Sequence, residues 1–458
     1  MEKVSTVDSV FLDVEHEGGP ALAVGIALQI SGKPPTLAQL RGFVRSRLSG
    51  VERFRQRAVP SRSPSLTGKW VTVDPDLNYH VTQRKIRSGD TIDATVSKIM
   101  MLPFDRTRPL WDCTLLTGYA PDQWTCVWRL HHSIADQSSP LVMLGRTIDL
   151  SPEGGVTLSD ALAASAFSST DDVEQTVAPG GLGGVMAKSV KAVEEGLDSL
   201  GQFIATSPDT VLTLREVMPK RSTELTGSVS DERVWVGGRY PLSHVKIARK
   251  AFAGVSVTDM VLASVAVGFR RLFESRGEDP TGRTVRAVIP MPAGSVAQES
   301  GEADGGLLPA MLPVGETDVL RRLKIVRAST KHGQRSMAPL IGDRLRKATE
   351  RAAPRLLLSF MEMEQTAPQY FSETLVASTP GPTTTLYFMG KKLIGSVPMV
   401  PISEAMRIVV GVTTYCDALD IGVTGDGLYA PDVDVLLRGM IEGLDELVQV
   451  AAAQRARR

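Results

Sequence analysis

The chain has 458 residues, which is more than one ordinary domain holds, so we expect two to three domains. Hydrophobic residues make up 42% of it and charged residues 22%, as in globular proteins with full-sized cores. The 51 Lys and Arg residues balance the 51 Asp and Glu residues, so the overall charge argues for neither a nucleic-acid partner nor an acidic membrane surface.

The cysteines and the N-terminus indicate the compartment. Cys113, Cys126 and Cys416 are widely separated, which predicts neither a disulfide framework nor a zinc-knuckle spacing and suits a reducing compartment. The first residues lack a basic region followed by an apolar one, so we expect no signal peptide. No apolar run approaches the roughly 20 residues that a membrane-spanning helix needs. We therefore expect a cytoplasmic protein, with any contact to the inner face of the membrane peripheral.

The first part of the chain predicts strands, helices and one hairpin. Thr36 and Gln39 have the spacing of a capping box, which predicts that a helix begins there. The basic segment 53–57 is either a solvated turn or a turn from which one arginine points inward to a buried carboxylate. The other patterns predict, in chain order, strands over 21–30 and 70–73, a helix over 92–99, a hairpin of strands over 113–116 and 124–131, and a helix over 141–148.

The composition changes between about residues 151 and 227, where a Ser-rich and a Gly-rich segment precede a helical pattern. We therefore predict a first domain over 1–165, a linker with a crossing helix over 166–230, and a second domain over 231–458. The second domain repeats the mixture of strands and helices, so the predicted fold class is α+β. Its patterns predict, in chain order, a strand over 233–236, a helix over 256–273, strands over 284–290 and 307–314, a helix over 321–329, a strand ending at 375–379, a hairpin over 407–424 turning at 417–418, and a closing helix over 433–448.

The segment that carries chemistry is the strand over 124–131, which ends in His131 and His132, with Asp136 four residues after the second histidine. Successive side chains of a strand point to opposite faces, so only one of the two histidines can face a given cleft. A neutral imidazole at a strand end can act as a general base, because its ordinary pKa lies near neutrality.

Three interpretations of this segment stay open on the residues alone. A metal site would need further ligands, and His16, His80, His244 and His332 show no ligand spacing. A purely structural histidine pair is the second interpretation. The third is a general base without a protein nucleophile, which would deprotonate an alcohol or amine for direct attack on an acyl group. No nucleophile-elbow, phosphate-loop or zinc-protease motif competes with it.

The segment 131–136 resembles the His-His-x-x-x-Asp motif of the chloramphenicol acetyltransferase-like and condensation-domain superfamily. Three more segments make the chain similar, nearly from end to end, to the bacterial wax ester synthase/diacylglycerol acyltransferase family. They are the opening residues 5–12, the Pro-Leu-Trp motif at 109–111, and the segment 380–387, which begins Pro-Gly-Pro.

The resemblance implies two acetyltransferase-like domains with the active site in a tunnel between them. It implies an O-acyltransferase that makes triacylglycerol or wax ester from acyl-CoA and a diacylglycerol or long-chain alcohol. His132 would be the general base, without a covalent acyl-enzyme and without a cofactor beyond the co-substrate acyl-CoA. His131 would pack away from the substrate, and Asp136 would be structural, paired with an early arginine for which Arg55 is the candidate.

The resemblance also implies which residues contact the substrates, and three of the positions depart from the family pattern. Gln137 replaces a glycine, Thr258 replaces the asparagine before Asp259, and Ala377 or Ser378 stands where an asparagine is usual. The expected tunnel residues are Pro109, Leu110, Trp111, Gln137, Thr258, Asp259, Ser378, Pro380, Gly381 and Pro382.

The departures keep two alternatives open. One is an acyltransferase of specialised metabolism that uses a CoA or carrier-protein donor and a natural-product acceptor. The other is a weakly active, lipid-binding paralogue. We expect no metal and no nucleic-acid partner, and any contact with a membrane or lipid droplet to be peripheral.

Overall fold

The computed structural model describes residues 2–4, 12, 22–59, 68–134, 144–161, 224–291, 306–341, 372–402 and 406–456. Within these ranges the chain forms two six-stranded sheets with helices packed on them, and one two-stranded sheet. The mixture is the α+β class that the sequence predicts. Residues 162–223, which hold nearly all of the predicted linker and its crossing helix, lie outside the described ranges. The proposed domain boundaries therefore remain a prediction.

The described elements before the linker are, in chain order, β1 (Ala23–Ser31), α1 (Leu37–Leu48), β2 (Gln56–Val59), β3 (Lys69–Thr72), α2 (Leu77–His80), β4 (Val81–Lys85), α3 (Ile92–Met100), β5 (Trp111–Ala120) and β6 (Gln123–His131). The capping box at the start of α1 is confirmed, because Thr36 and Gln39 each accept the other's backbone N–H in their side chains. The predicted hairpin is also confirmed as β5 and β6. Of the predicted helix over 141–148, residues 141–143 lie outside the described ranges.

The described elements after the linker are, in chain order, β7 (Arg233–Pro241), α4 (Leu242–Arg249), α5 (Val257–Ser275), β8 (Val285–Met291), β9 (Gly306–Leu312), α6 (Val319–Ile341), β10 (Thr374–Thr379), β11 (Tyr387–Phe388), β12 (Lys391–Met399), β13 (Ile408–Tyr415), β14 (Ala418–Asp426) and α7 (Val433–Ala456). The predicted hairpin turn at 417–418 is wrong by one residue. Tyr415 pairs with Ala418, so the turn is formed by Cys416 and Asp417, with Cys416 at a φ of 51°.

The first sheet combines strands from both halves of the chain. Its order is β11-β12-β1-β6-β5-β4, so β11 and β12 come from the second half. The second sheet has the order β7-β14-β13-β10-β8-β9, and all its strands follow the linker. Because β12 lies beside β1, the first sheet is complete only when both halves of the chain are folded together.

Hydrogen bonds connect the first sheet and its helix α3 to the second sheet. The backbone N–H of Trp235 in β7 donates to Ser97 Oγ in α3 at 2.8 Å, and the indole Nε1 of Trp235 donates to the carbonyl of Pro398 in β12 at 3.1 Å. Asp420 in β14 is fully buried and accepts the backbone N–H of Ser396 in β12 at 2.8 Å. A buried polar group that keeps a hydrogen bond avoids the cost of desolvation, so these contacts hold a defined junction between the halves.

Each sheet has its own apolar core. On the first sheet, one face packs around the indole rings of Trp111, Trp124 and Trp128, all 1% exposed or less. On the second sheet, α5 and α7 pack on one face and also against each other. Gly268 permits that approach, because a Cβ there would lie 2.7 Å from the carbonyl oxygen of Leu436.

Candidate active site

The two histidines lie where the central strand of the first sheet ends. His131 is the last residue of β6, and His132 begins a short 3-10 helix, His132–Ile134. Neighbouring backbone holds both residues. The N–H of His131 donates to the carbonyl of Leu110 at 2.9 Å, and the N–H of His132 donates to the carbonyl of Leu22 at 3.0 Å. The position of the pair is therefore set from both sides of β6, by the residues that precede β5 and β1.

His131 is fully buried, and its ring meets the ring of Phe104 edge to face with centroids 6.2 Å apart. Its Nδ1 accepts the backbone N–H of Ser133 at 3.1 Å and lies 2.7 Å from Ser133 Oγ. Because Nδ1 is an acceptor in this contact, a neutral His131 carries its proton on Nε2. These contacts give His131 a packing environment, and its role stays a prediction.

His132 is also buried, and its pKa is perturbed. Burial, and after it the charge of His131, lowers the pKa of His132 from 6.5 to about 4. The imidazole of His132 is therefore uncharged at neutral pH. An uncharged imidazole has a nitrogen lone pair, which is what a general base requires.

A buried ion pair supports this strand end. Arg129 lies opposite Asp112 in the register of β5 and β6. The Nε of Arg129 donates to Asp112 Oδ1 at 3.1 Å, Nη2 donates to the other carboxylate oxygen, and Nη1 donates to the carbonyl of Leu102 at 2.7 Å. The guanidinium also lies over the ring of Phe104, 4.8 Å from its centroid. Phe104 therefore contacts both Arg129 and His131.

Sequence reasoning missed Arg129 and Asp112, although a signal was present. Arg129 is a charged residue inside an otherwise apolar strand, and it lies on the same face as His131, two residues away. Its pairing with Asp112 could not be counted from the predicted turn, because the register of β5 and β6 shifts between Leu116 and Ala120.

The Pro-Leu-Trp segment, Pro109 to Trp111, is buried and supports the site through its backbone. Leu110 supplies the carbonyl that binds the N–H of His131. Trp111 donates from its indole Nε1 to the carbonyl of Phe54 at 3.0 Å, and its ring stacks on His80 with centroids 4.4 Å apart. The described contacts of this segment are structural, and its predicted contact with substrate remains a prediction.

The predicted pair of Arg55 and Asp136 cannot be placed, because Asp136 and Gln137 lie outside the described residues. Arg55 itself is exposed, whereas a buried ion pair needs its guanidinium out of water. Arg53 of the same basic segment packs on the protein. It lies over the ring of Trp70, 4.3 Å from the centroid, and donates to Glu2 at 2.6 Å.

Asp259, predicted to line the tunnel, caps a helix. Its carboxylate accepts the backbone N–H of Ser256 at 2.8 Å and the hydroxyl of Thr330 at 3.0 Å. Both carboxylate oxygens are thus engaged within the second half, at the start of α5. Thr258 is half-buried beside it. Through these contacts Asp259 caps α5 and connects α5 to α6, which is a structural role.

The Pro-Gly-Pro segment is bound to the end of β13. The N–H of Gly381 donates to Thr414 Oγ1 at 2.9 Å, and the carbonyl of Pro382 accepts the N–H of Cys416 at 2.9 Å. A Cβ at Gly381 would lie 1.9 Å from the carbonyl oxygen of Thr414, so only glycine fits this approach. Pro380 is exposed, and Ser378 is half-buried in β10.

A narrow cleft lies beside the histidine pair, where the two halves of the chain meet. It is lined by Leu22, Ala23, Met100, Arg129, Arg233, Pro401 and Ile402. Leu22 connects the cleft to His132, because its carbonyl accepts the N–H of His132. Neither histidine lines this cleft, and neither do Thr258, Ser378 and Gly381 of the predicted tunnel. Arg129 and Arg233 give its wall two guanidinium groups among apolar side chains.

Two other kinds of site are absent from the described ranges. No three or more His, Cys, Asp or Glu side chains there are grouped so that they could hold a metal ion. No helix there is both long enough and apolar enough to cross a bilayer.

Comparisons with known families cover nearly the whole chain. Residues 4–261 match the wax ester synthase/diacylglycerol acyltransferase catalytic domain, and residues 305–448 match the C-terminal domain of the same family. A probable diacylglycerol O-acyltransferase of Mycobacterium tuberculosis is 25% identical, over 100% of this chain and 98% of that protein. A putative diacylglycerol O-acyltransferase of the same species is 26% identical, over 98% of this chain and 92% of that protein.

Solved structures show the same fold. The wax ester synthase/diacylglycerol acyltransferase from Marinobacter aquaeolei VT8 gives a TM-score of 0.70 at 19% identity, covering 98% of this chain and 100% of that one. The first condensation domain of the CDA synthetase gives a TM-score of 0.55 at 14% identity, covering 97% and 95%. These likenesses confirm the predicted fold class.

Proposed function

The chain belongs to the wax ester synthase/diacylglycerol acyltransferase family, and on that premise we propose how it acts. It transfers a fatty acyl group from acyl-CoA to the hydroxyl of a diacylglycerol or a long-chain alcohol, which gives triacylglycerol or wax ester. The observation that carries the proposal is His132, a buried and uncharged imidazole at a strand end beside the cleft between the two halves.

The chemistry requires one proton transfer in each direction. His132 takes the proton of the acceptor hydroxyl while the hydroxyl oxygen attacks the thioester carbon. The C–S bond then breaks, and His132 returns the proton to the sulfur of CoA. Because the pKa of His132 is about 4, the imidazole is too weak a base to form a free alkoxide first. The proton therefore moves as the new C–O bond forms, and no acyl-enzyme is needed.

The remaining roles are part of the same proposal. His131 packs behind the catalytic imidazole, and Asp136 braces the segment after it. Because the acceptors are poorly soluble in water, we also propose that the protein works in peripheral contact with a membrane or a lipid droplet.

The test is a single-turnover and steady-state assay with pure protein, a long-chain acyl-CoA, and either diacylglycerol or a long-chain alcohol. Mass spectrometry should detect the ester with the wild type, and His132→Ala should lose at least a hundredfold of the rate, since general-base catalysis contributes about 10²–10⁴-fold. His244→Ala changes an exposed histidine and serves as the matched control. If wild type and His132→Ala gave the same ester yield, or neither gave any, the proposal would fail.

A second candidate is an acyltransferase of specialised metabolism with a CoA or carrier-protein donor. The departures at Gln137, Thr258 and Ser378 favour it, because each replaces a small or amide residue of the family pattern. Ester or amide formation from a carrier-bound acyl donor alone, with no turnover of free acyl-CoA, would decide for this candidate. Lipid binding without turnover of either donor would indicate the weakly active paralogue instead.

A further inference from the structure

A compact cationic surface lies on the second half of the chain. The short helix α4 packs on α5 and α7 through Leu242, Val245 and Ala248, which are buried at helical spacing. Its outer face carries Lys246, Ile247, Arg249 and the following Lys250, all exposed. Arg455, near the end of α7, joins this face from 208 positions away, because its Nη2 donates to the carbonyl of Ile247. We call these five residues the basic patch.

Two stretches without acidic residues meet at the basic patch. The chain has no Asp or Glu between Glu232 and Asp259, and none after Glu446. Two acidic residues form hydrogen bonds near this region: Asp417 binds Ser243, and Asp445 binds Tyr240. Both contacts lie at the start of α4, about two turns before its last cations. The net charge of the basic patch is therefore positive although the chain as a whole is neutral.

An exposed aliphatic side chain lies among these residues. Ile247 is 49% exposed, Lys250 follows it by one helical turn, Lys246 and Arg249 are close to it in sequence, and Arg455 binds its carbonyl. Lys and Arg can lay their methylene stems on an apolar region while their charged heads reach polar groups. A helix that lies on a bilayer combines these two features, since its aliphatic residue enters the acyl-chain boundary and its cations meet anionic headgroups.

We propose that the basic patch is the surface by which this protein docks on an anionic phospholipid bilayer. The proposal rests on the peripheral contact suggested under the proposed function and names the face that makes it. It uses none of the residues placed at the active site, so docking and turnover can be tested separately.

The experiment measures binding of the full chain to vesicles by flotation. The vesicles are made of phosphatidylcholine alone or of equal parts phosphatidylcholine and phosphatidylglycerol. The wild type should bind the anionic vesicles and release them at high salt, because counterions screen the attraction. The triple variant Lys246→Gln/Arg249→Gln/Lys250→Gln should bind about a hundredfold more weakly, since each cation near an anionic surface contributes to the partition.

A matched control removes the same charge elsewhere. Lys33, Lys391 and Lys392 are exposed, and Lys391 lies against Gly32, so they form a second group of three lysines, at the first sheet. Their triple change to Gln should leave vesicle binding within about twofold of the wild type. If both triple variants lost binding equally, general charge and not the basic patch would attract the bilayer, and the proposal would be overturned.

The variant Ile247→Ser distinguishes docking on a bilayer from binding to a polyanion. Loss of one inserted aliphatic side chain should weaken vesicle binding roughly tenfold and leave binding to soluble heparin unchanged. Unchanged vesicle binding by Ile247→Ser would overturn the proposal of docking on a bilayer and would indicate an acidic macromolecule as the partner. Turnover of a water-soluble acyl-CoA and alcohol pair should be unaffected in all these variants. His132→Ala should show the opposite behaviour, with vesicle binding kept and turnover lost.

Discussion

The low pKa of His132 predicts how the stability of the protein depends on pH. In the unfolded chain His132 has its ordinary pKa of 6.5, and in the folded protein the pKa is about 4. Between these pH values the unfolded chain binds a proton that the folded protein does not bind, so the free energy of unfolding falls as the pH falls. The difference of about 2.5 pKa units corresponds to about 3 kcal/mol, which is fully present above pH 6.5 and lost by about pH 4.

The assay compares wild type with His132→Gln, whose side chain is polar but does not titrate. Urea unfolding, followed by circular dichroism at a series of pH values from 7 to 4, gives the free energy of unfolding of each protein. Every other group titrates in both proteins, so the difference between the two curves isolates His132. The wild type should lose about 3 kcal/mol more than the variant over this range. Parallel curves would refute the idea that burial holds His132 uncharged.

Three further predictions concern the surroundings of the site. Asp112→Asn should lower the free energy of unfolding by about 3–5 kcal/mol, because it leaves the buried charge of Arg129 without its counterion; thermal unfolding measures this. Gly381→Ala should lower both melting temperature and acyl transfer, because the added Cβ clashes with backbone, whereas Gly42→Ala has open space in a helix and should stabilise by up to about 1 kcal/mol. Ser97→Ala should cost about 1–3 kcal/mol in urea unfolding, because it removes the acceptor of a buried backbone N–H of β7.

Elements with local signals were predictable from the sequence. The two capping boxes, at Thr36 and Ser256, mark the starts of α1 and α5, because the cap and its partner lie three residues apart. The strand β12 was not predicted. Its sequence, residues 391–399, is interrupted by Gly395 and Pro398 and lacks a clean alternation of apolar and polar residues. Its pairing with β1 joins residues more than 360 positions apart, which no local pattern can indicate.

The candidate site, too, was predictable only where its residues are adjacent in the sequence. The histidine pair was found because its residues are adjacent and follow an apolar strand. The walls of the cleft were not found, because Leu22, Met100, Arg233 and Ile402 come from four separate segments and meet only in the folded chain. No local pattern distinguishes Arg53 from Arg55, and only the folded chain shows that Arg53 packs on Trp70 while Arg55 is exposed.

The contacts of β1 explain why both halves of this chain are needed to position His132. Leu22 and Ala23, at the start of β1, line the cleft, and the carbonyl of Leu22 accepts the N–H of His132. On its other side β1 pairs with β12, which leads into Pro401 and Ile402, two further residues that line the cleft. A substrate that enters this cleft would therefore contact the start of β1 and the segment that follows β12. These are the two segments whose pairing supports the end of the first sheet near the histidine pair. Separating the halves would remove β12 from β1 and with it one support of His132.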